Sequence, residues 1–446
     1  MPVTVPPVMS TVIRKYGGSS LATVAKVRRV ASQIAEIHRA GSAVVVVVSA
    51  RGDTTDELLR LAGEFGAGQP SRDLDQLLAT GECASAALLA LALRALDVPA
   101  ASLTGPQAGI LTTGTPGAGR ITAVRPDRVR RLLAANTVVV VAGFQGLDTQ
   151  GLDTHGLDSQ STDVAGDVVT LGRGGSDTTA VALAAALGTG RCDIYTDVDG
   201  VFTADPRVVA GARLQPDLGV TTMAELAAAG AGVVHPHAVR LAAVHGVELR
   251  VGNSWSGRPG SVIRPVPAGG VLDAGSRVVG VAHDLDVARV MVRSRGGRPD
   301  PRSAVFSAVF DALAHHLVPV DFVSHAGPDE RTFRMGFTAR RDDAAAIVPS
   351  LRRALAGTGG TVAMDRDVGK VSLVGDGLLD GTRWAARMTG ALSAAGITAL
   401  WTYVSQHRAA VVTPLDRVLD AARLLHQEFA LGGSDVDSTV QEAMAS

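Results

Sequence analysis

The sequence is poor in aromatic residues and in cysteine. Aromatics make up 3% of its 446 positions, too few to suggest a stacking platform for nucleic-acid bases. Two cysteines, Cys83 and Cys192, can form neither a disulfide framework nor a four-ligand zinc site. The net charge of −1 points to no nucleic-acid or membrane surface. Met1–Ser10 has no basic segment leading into an apolar one, and no apolar run reaches the length of a membrane span. A cytoplasmic protein without nucleic-acid or membrane partners is expected. An ordinary P-loop is also missing: no G-x-x-x-x-G-K-[ST] occurs, and Gly369-Lys370 is followed by Val371.

Glycine, by contrast, is abundant (51 residues), and 46% of the chain is hydrophobic against 19% charged. That length and composition allow two or three domains with sizeable cores. The most informative stretch is Thr170-Leu171-Gly172-Arg173-Gly174-Gly175-Ser176-Asp177-Thr178-Thr179, between Val168-Val169 and the Ala-rich segment Ala180–Leu187. A glycine-rich turn entering a helix offers free backbone N–H groups to an anion. Arg173 adds a planar fork for a carboxylate or phosphate. Asp177 would repel that anion unless it binds a cation, pairs with a lysine or positions a reacting group. A structural turn with a capping Asp is the plainer alternative.

Cys192–Arg207 reads as a short strand entering a polar loop. Gly172-Arg173-Gly174-Gly175-Ser176-Asp177, Tyr195-Thr196-Asp197-Val198-Asp199-Gly200 and Thr203-Ala204-Asp205-Pro206-Arg207 follow one another in that order. Together they resemble the aspartokinases of the amino-acid kinase family. Three motifs in order are far more specific than one.

From the start, Val12–Tyr16 reads as a strand with Lys15 at its carboxyl end. Gly17-Gly18-Ser19-Ser20 then turns into a helix over roughly Leu21–Ala40. The valine run Val44–Val48 predicts a strand covered on both faces, as in a parallel sheet. Ser49–Glu57 follows at its carboxyl end, where open α/β sheets bind ligands, and Thr54 or Thr55 can cap the next helix. Asp73–Leu96 has helical spacing and carries Thr80-Gly81-Glu82; a helix glycine costs about 1 kcal/mol and needs a reason. Strands are expected near Pro99–Leu103 and at Thr137–Ala142, the latter ending at Gly143-Phe144-Gln145-Gly146. Alternating strands and helices to about residue 265 predict a mostly parallel sheet with helices on both faces.

The resemblance implies an ATP:L-aspartate phosphotransferase. Lys15 and Asp177 would be catalytic, with Lys15 neutralising the transferred phosphoryl group and Asp177 ordering the centre with Lys15 and Mg²⁺. Lys15, Gly17, Gly18 and Ser19 would hold ATP phosphates. Thr196, Asp197, Phe202, Asp205, Pro206 and Arg207 would border the nucleotide. For the substrate, Arg173 would clamp the α-carboxylate and Glu82 the α-amino group, with Ser49, Thr55, Gly174 and Ser176 lining the pocket. Two positions depart from the family: Gly232 stands where a phosphate-side lysine is usual, before Val233-Val234-His235-Pro236, and Phe202 replaces a tyrosine.

Three tandem five-residue repeats, beginning at Gly146, Gly151 and Gly156, read as a surface insert without chemistry. From about Ser276 the order changes to strand, helix, strand, strand, helix, and then repeats. The strands expected are Val287–Val292, Val318–Val323, Arg331–Thr338, Val371–Val374, Ile397–Tyr403 and Arg408–Val412. This resembles paired ferredoxin-like ACT regulatory domains, giving 11–265 as catalytic domain, 276–360 and 366–446 as ACT domains, and a homo-oligomer formed through them. The effector signature is eroded: Ser303-Ala304 and Thr382-Arg383 replace Pro-Gly, His325-Ala326 replaces Gln-Asn, and Thr398-Ala399-Leu400 replaces Asn-Ile-Glu, while Asp321 is kept. Feedback by lysine and threonine is therefore expected to be weak. Alternatives are a family member acting on acetylglutamate, glutamate or a nucleotide, and a non-catalytic regulatory subunit.

Overall fold

The structure, a computed structural model, describes residues 10–66, 70–150, 166–265, 277–295, 301–316, 318, 320–329, 332–356, 360–380 and 383–432. In chain order the elements are β1 (Thr11–Tyr16), α1 (Gly18–Leu21), α2 (Val24–Arg39), β2 (Ala43–Val48), α3 (Thr54–Glu64), α4 (Arg72–Arg94), β3 (Ala100–Leu103), β4 (Ile110–Thr113), β5 (Arg120–Val124), α5 (Asp127–Ala134), β6 (Val138–Ala142), β7 (Gln145–Asp148) and β8 (Val168–Thr170). Next come α6 (Gly175–Leu187), β9 (Arg191–Thr196), β10 (Asp217–Gly219), α7 (Val220–Ala229), α8 (Pro236–His245), β11 (Glu248–Asn253) and β12 (Ser261–Arg264). The rest are β13 (Arg277–Arg295), α9 (Pro301–His315), β14 (Phe322–Asp329), β15 (Thr332–Ala339), α10 (Arg341–Leu355), β16 (Thr361–Asp376), α11 (Arg383–Ala394), β17 (Trp401–Val404), β18 (Arg408–Pro414) and α12 (Val418–Glu428). The chain forms two compact bodies, one of Met1–Val201, Leu214–Ala224 and Gly232–Gly270, the other of Phe202–Arg213, Glu225–Ala231 and Val271–Ser446.

In the first body an eight-stranded sheet runs β10-β12-β11-β9-β1-β2-β6-β3. Only the β11–β12 pairing is antiparallel. The valines of β2 and β6 are fully buried, as continuous apolar strands between helical layers should be. On one face Val44, Val46, Val138 and Val140 pack with Val30 and Ile34 of α2 and Leu89 and Leu93 of α4. Helix α6 packs against β1, β2 and β9. Strand order reverses direction around β1, which lies between β2 and β9, and such a switch leaves a crevice at the strands' carboxyl ends. A second sheet, β5-β4-β7-β8, carries the residues leading into the glycine-rich turn.

Three local readings shift. The expected first helix breaks at Ala22-Thr23, because Thr23 accepts a hydrogen bond from the Lys26 amide and caps α2. The first five-residue repeat is strand rather than loop: Leu147 is buried and pairs with Leu111 and Val168. The other two repeats lie outside the described residues. Helix α4 has the length and hydropathy of a membrane span, yet half of that stretch is buried and Leu89 and Leu93 sit in the core.

In the second body one antiparallel sheet runs β14-β15-β13-β16-β18-β17. It serves two cores. Val290 and Val292 pack with Val305, Phe337, Ile347 and Leu351. Val278 and Val281 pack instead with Val371, Leu373, Met388, Val411 and Leu425, joined by Ala204 and Val209. The second core thus takes strand residues from upstream of the first. β14 starts four residues later than the expected Val318, because Val318 and Val320 cover the first core without joining the ladder.

Candidate active site

Lys15 lies on β1, level with Val47 of β2 and Ile194 of β9. Beyond it the chain turns, and the Gly17 amide donates to the Tyr195 carbonyl at 3.1 Å. Gly18 passes so close to the end of β2 that a Cβ there would lie 2.4 Å from the Ala50 carbonyl oxygen. Only glycine fits this turn, and Ser19 follows it into α1.

Asp177 stands in the first turn of α6, where the helix dipole favours an anion. Its Oδ1 is 2.6 Å from Lys15 Nζ, and both side chains are nearly out of water. Oδ2 accepts the His235 amide at 3.2 Å. The first turn of α6 is packed tightly from two sides. Gly174 has a left-handed φ of +71°, and a Cβ on it would fall 2.0 Å from His235 Cγ. A Cβ on Gly143 would fall 2.7 Å from Ser176 Oγ. His235 is held below its usual pKa, chiefly by burial, although Asp177 works against that.

Glu82 enters from α4. Its Oε1 accepts the Ala50 amide at 3.0 Å, and Oε2 has no hydrogen-bond partner among the described residues. Burial pushes its pKa up to about 7, and the Ala50 hydrogen bond only moderates this. The helix glycine before it has its reason here, since a Cβ on Gly81 would lie 2.9 Å from Ala50 Cβ. Ala50 therefore touches both the Gly18 turn and Glu82. Neither this role nor that of the His235 amide could be read from side-chain chemistry.

The structure brings Lys15, Gly17, Gly18, Glu82 and Asp177 into one network of contacts. Ser49, its amide bonded to the Tyr16 carbonyl, and Thr55, on α3, are both half-buried. Arg173 is exposed in the glycine-rich turn and has no ion pair with a described residue. Thr196 ends β9, its hydroxyl donating to the Asp197 carboxylate, and the Asp197 carbonyl accepts the Asn253 side-chain Nδ2. Phe202, Asp205, Pro206 and Arg207 belong to the second body, where Asp205 is bonded to the Arg207 guanidinium and amide. The Arg207 bond holds Asp205 below the usual carboxylate range despite partial burial. Gly232 has open space around its Cβ direction and no left-handed φ.

The sequence profile of the amino acid kinase family matches residues 10–253. Aspartokinase of Mycobacterium tuberculosis is 42% identical over 441 residues, covering 97% of this chain and 99% of the relative. That of Thermus thermophilus is 39% identical over 425 residues, covering 95% and 99%. Among solved structures, Escherichia coli aspartokinase III in complex with aspartate and ADP superposes with a TM-score of 0.77 at 22% identity, over 94% of this chain and 99% of that one. That last likeness is one of fold. With the sequence relationship extending over nearly the whole chain, the protein belongs to the aspartokinases of the amino acid kinase family.

Proposed function

We propose that the enzyme transfers the γ-phosphoryl group of ATP to the β-carboxylate of L-aspartate, giving 4-phospho-L-aspartate. Aspartate phosphorylation is the activity of its family. The observation that carries the substrate assignment is the buried Glu82, whose Oε2 lacks a partner in a body that also holds the Lys15–Asp177 pair. A buried carboxylate oxygen without a donor is costly unless a ligand supplies one, and an α-ammonium group would do so. Acetylglutamate has no such group, which argues against that family alternative.

Arg173 then takes the α-carboxylate through paired hydrogen bonds, and Ser49, Thr55, Gly174 and Ser176 line the remaining pocket. The attacking β-carboxylate is already ionised at neutral pH, so no strong general base is required. Catalysis rests on positioning and charge neutralisation. Lys15 and the Gly17, Gly18 and Ser19 amides hold phosphate oxygens, and Asp177 fixes the Lys15 ammonium. Thr196, Asp197, Phe202, Asp205, Pro206 and Arg207 border the nucleotide. Among the described residues no three acidic, histidine or cysteine side chains gather as a metal cage. Mg²⁺ is usually held by phosphate oxygens, water and one or two carboxylates; Asp177 would be the carboxylate, and the bound ion would neutralise phosphate charge.

Residues 11–265 form the proposed catalytic domain. The proposed ACT modules are 276–360 and 366–446, the second completed by the first half of β13, and they mediate homo-oligomer formation. Feedback by lysine and threonine is proposed to be weak. Asp321, the surviving acidic residue of the effector signature, is engaged by Lys370 on one oxygen and Arg408 on the other. The side chains of Ser303, Ala304, His325 and Ala326, and residue Thr382, lie outside what the structure describes.

The test is ADP release coupled to hydroxylamine trapping of the acyl phosphate. An aspartate-dependent hydroxamate is expected. ATP binding without any aspartate-dependent signal overturns the assignment.

A further inference from the structure

Asp75 is 1% exposed and lies seven residues before Glu82, two turns away on the same face of α4. Its Oδ2 accepts the Gly117 amide at 3.0 Å and the Thr170 amide at 2.9 Å, and its Oδ1 accepts the Thr170 hydroxyl at 2.7 Å. Thr170 is the last residue of β8, three before Arg173. Its carbonyl accepts the Gly119 amide at 2.9 Å, so the segment entering the glycine-rich turn is fixed on both sides. Beside this lock, Gln145 Nε2 donates to the Ala79 carbonyl of α4 at 3.0 Å.

We propose that Asp75 is a positioning residue for substrate recognition: it ties the strand leading to Arg173 to the helix that carries Glu82. The inference rests on the proposed roles of these two residues. Aspartate presents its α-carboxylate and α-ammonium on one carbon, so the two recognising charges must keep a fixed spacing. They come from segments about ninety residues apart in sequence. The buried Asp75 carboxylate joins these segments through two hydrogen bonds to Thr170, beside an exposed Arg72–Asp167 ion pair at the start of the helix, and no hydrogen bond ties Asp75 to Lys15 or the Gly17–Ser19 turn. Displacing a recognition group by a fraction of an ångström degrades binding of the group it holds while sparing a separately anchored partner.

Steady-state kinetics on the full chain, with ATP and aspartate varied in turn, tests this. Asp75→Ala strands two buried N–H donors and is expected to raise KM for aspartate about tenfold or more, with KM for ATP within about twofold of wild type. Asp75→Asn can still accept both amides while its NH₂ donates to the Thr170 hydroxyl, and is expected to recover most of the loss. Thr170→Val removes one of the three bonds and should give an intermediate rise. Equal rises in both KM values, or a lower melting temperature with KM for aspartate unchanged, would mean that Asp75 is structural only. Should Asp75→Ala not fold, an unchanged KM for aspartate in Thr170→Val overturns the inference. A wild-type enzyme inactive on aspartate removes the underlying assignment and this inference together; an active one without the split removes the inference alone.

Discussion

Glu82 in the first body is buried and Asp321 in the second partly so, and the two carboxylates respond in opposite directions. Glu82 has one backbone amide on one oxygen and nothing among the described residues on the other, and burial raises its pKa to about 7. Burial also works to raise Asp321, but Lys370 and Arg408 outweigh it and hold the group below the usual carboxylate range. Lys370 is 3% exposed and Arg408 6%. On the proposed reading the substrate ammonium completes the first charge, whereas the second is already paired within the chain. Burial alone therefore does not set the direction of a carboxylate's shift; the cations placed against it do.

The comparison predicts that the largest losses follow changes around the open site. Lys15→Ala should lower turnover about 10²–10³-fold, the scale of removing one preorganised charge stabiliser. Asp177→Ala should do the same while the far-ultraviolet dichroism stays native. Near-wild-type turnover in either variant would break the catalytic assignment.

Glu82→Gln should raise KM for aspartate about tenfold or more while sparing KM for ATP. In the wild type, kcat/KM for aspartate should climb as the pH passes about 7, because only ionised Glu82 pairs with an ammonium group. The variant should lose that step. Stability runs the other way. A carboxyl whose folded pKa is raised contributes stability below its unfolded pKa and loses it as pH rises through the folded value. Glu82→Gln should therefore melt no lower than wild type at pH above about 7, and a lower melting point there would contradict an unpaired buried charge.

Lys370→Met probes the closed cluster. Breaking a buried pair is costly, but Asp321 is partly exposed and keeps Arg408, so a loss of about 1–3 kcal/mol is expected in urea unfolding. No loss would mean that the cluster is ornamental. Gly232→Lys has room for a side chain and should lower KM for ATP about threefold, as a rim charge at moderate dielectric would; an unchanged value would place the phosphate-side charge elsewhere. The smallest expected effect is inhibition by lysine and threonine, less than about twofold at millimolar concentration when two hydrogen-bonding partners are missing. Strong inhibition would show an effector site that does not need the replaced Pro-Gly and Gln-Asn positions.

The places of Lys15, the Gly17-Gly18 turn and Asp177 were legible in the sequence as a strand-end charge, a glycine turn and an acid in a first helical turn, while their roles came from the family resemblance. Buried β2 and β6 were equally plain from their valines. Asp75 and the Ala50 amide were not legible. Their roles come from partners 95 and 32 residues away, and one of them acts through the backbone. The division of β13 between two cores was hidden for a similar reason. Alternation along a strand reports which residues face inward, but not which core they reach.

That division has a consequence for how the chain is made. During synthesis the residues of the first of these two cores emerge contiguously and can close on themselves. The second core cannot close until residues near 425 have emerged, and it must then recruit Val278 and Val281 from beyond the already finished module, along with Ala204 and Val209 from further upstream. A C-terminal fragment starting at 366 would lack one of its own strands. Residues near 425 therefore serve to fasten segments made much earlier.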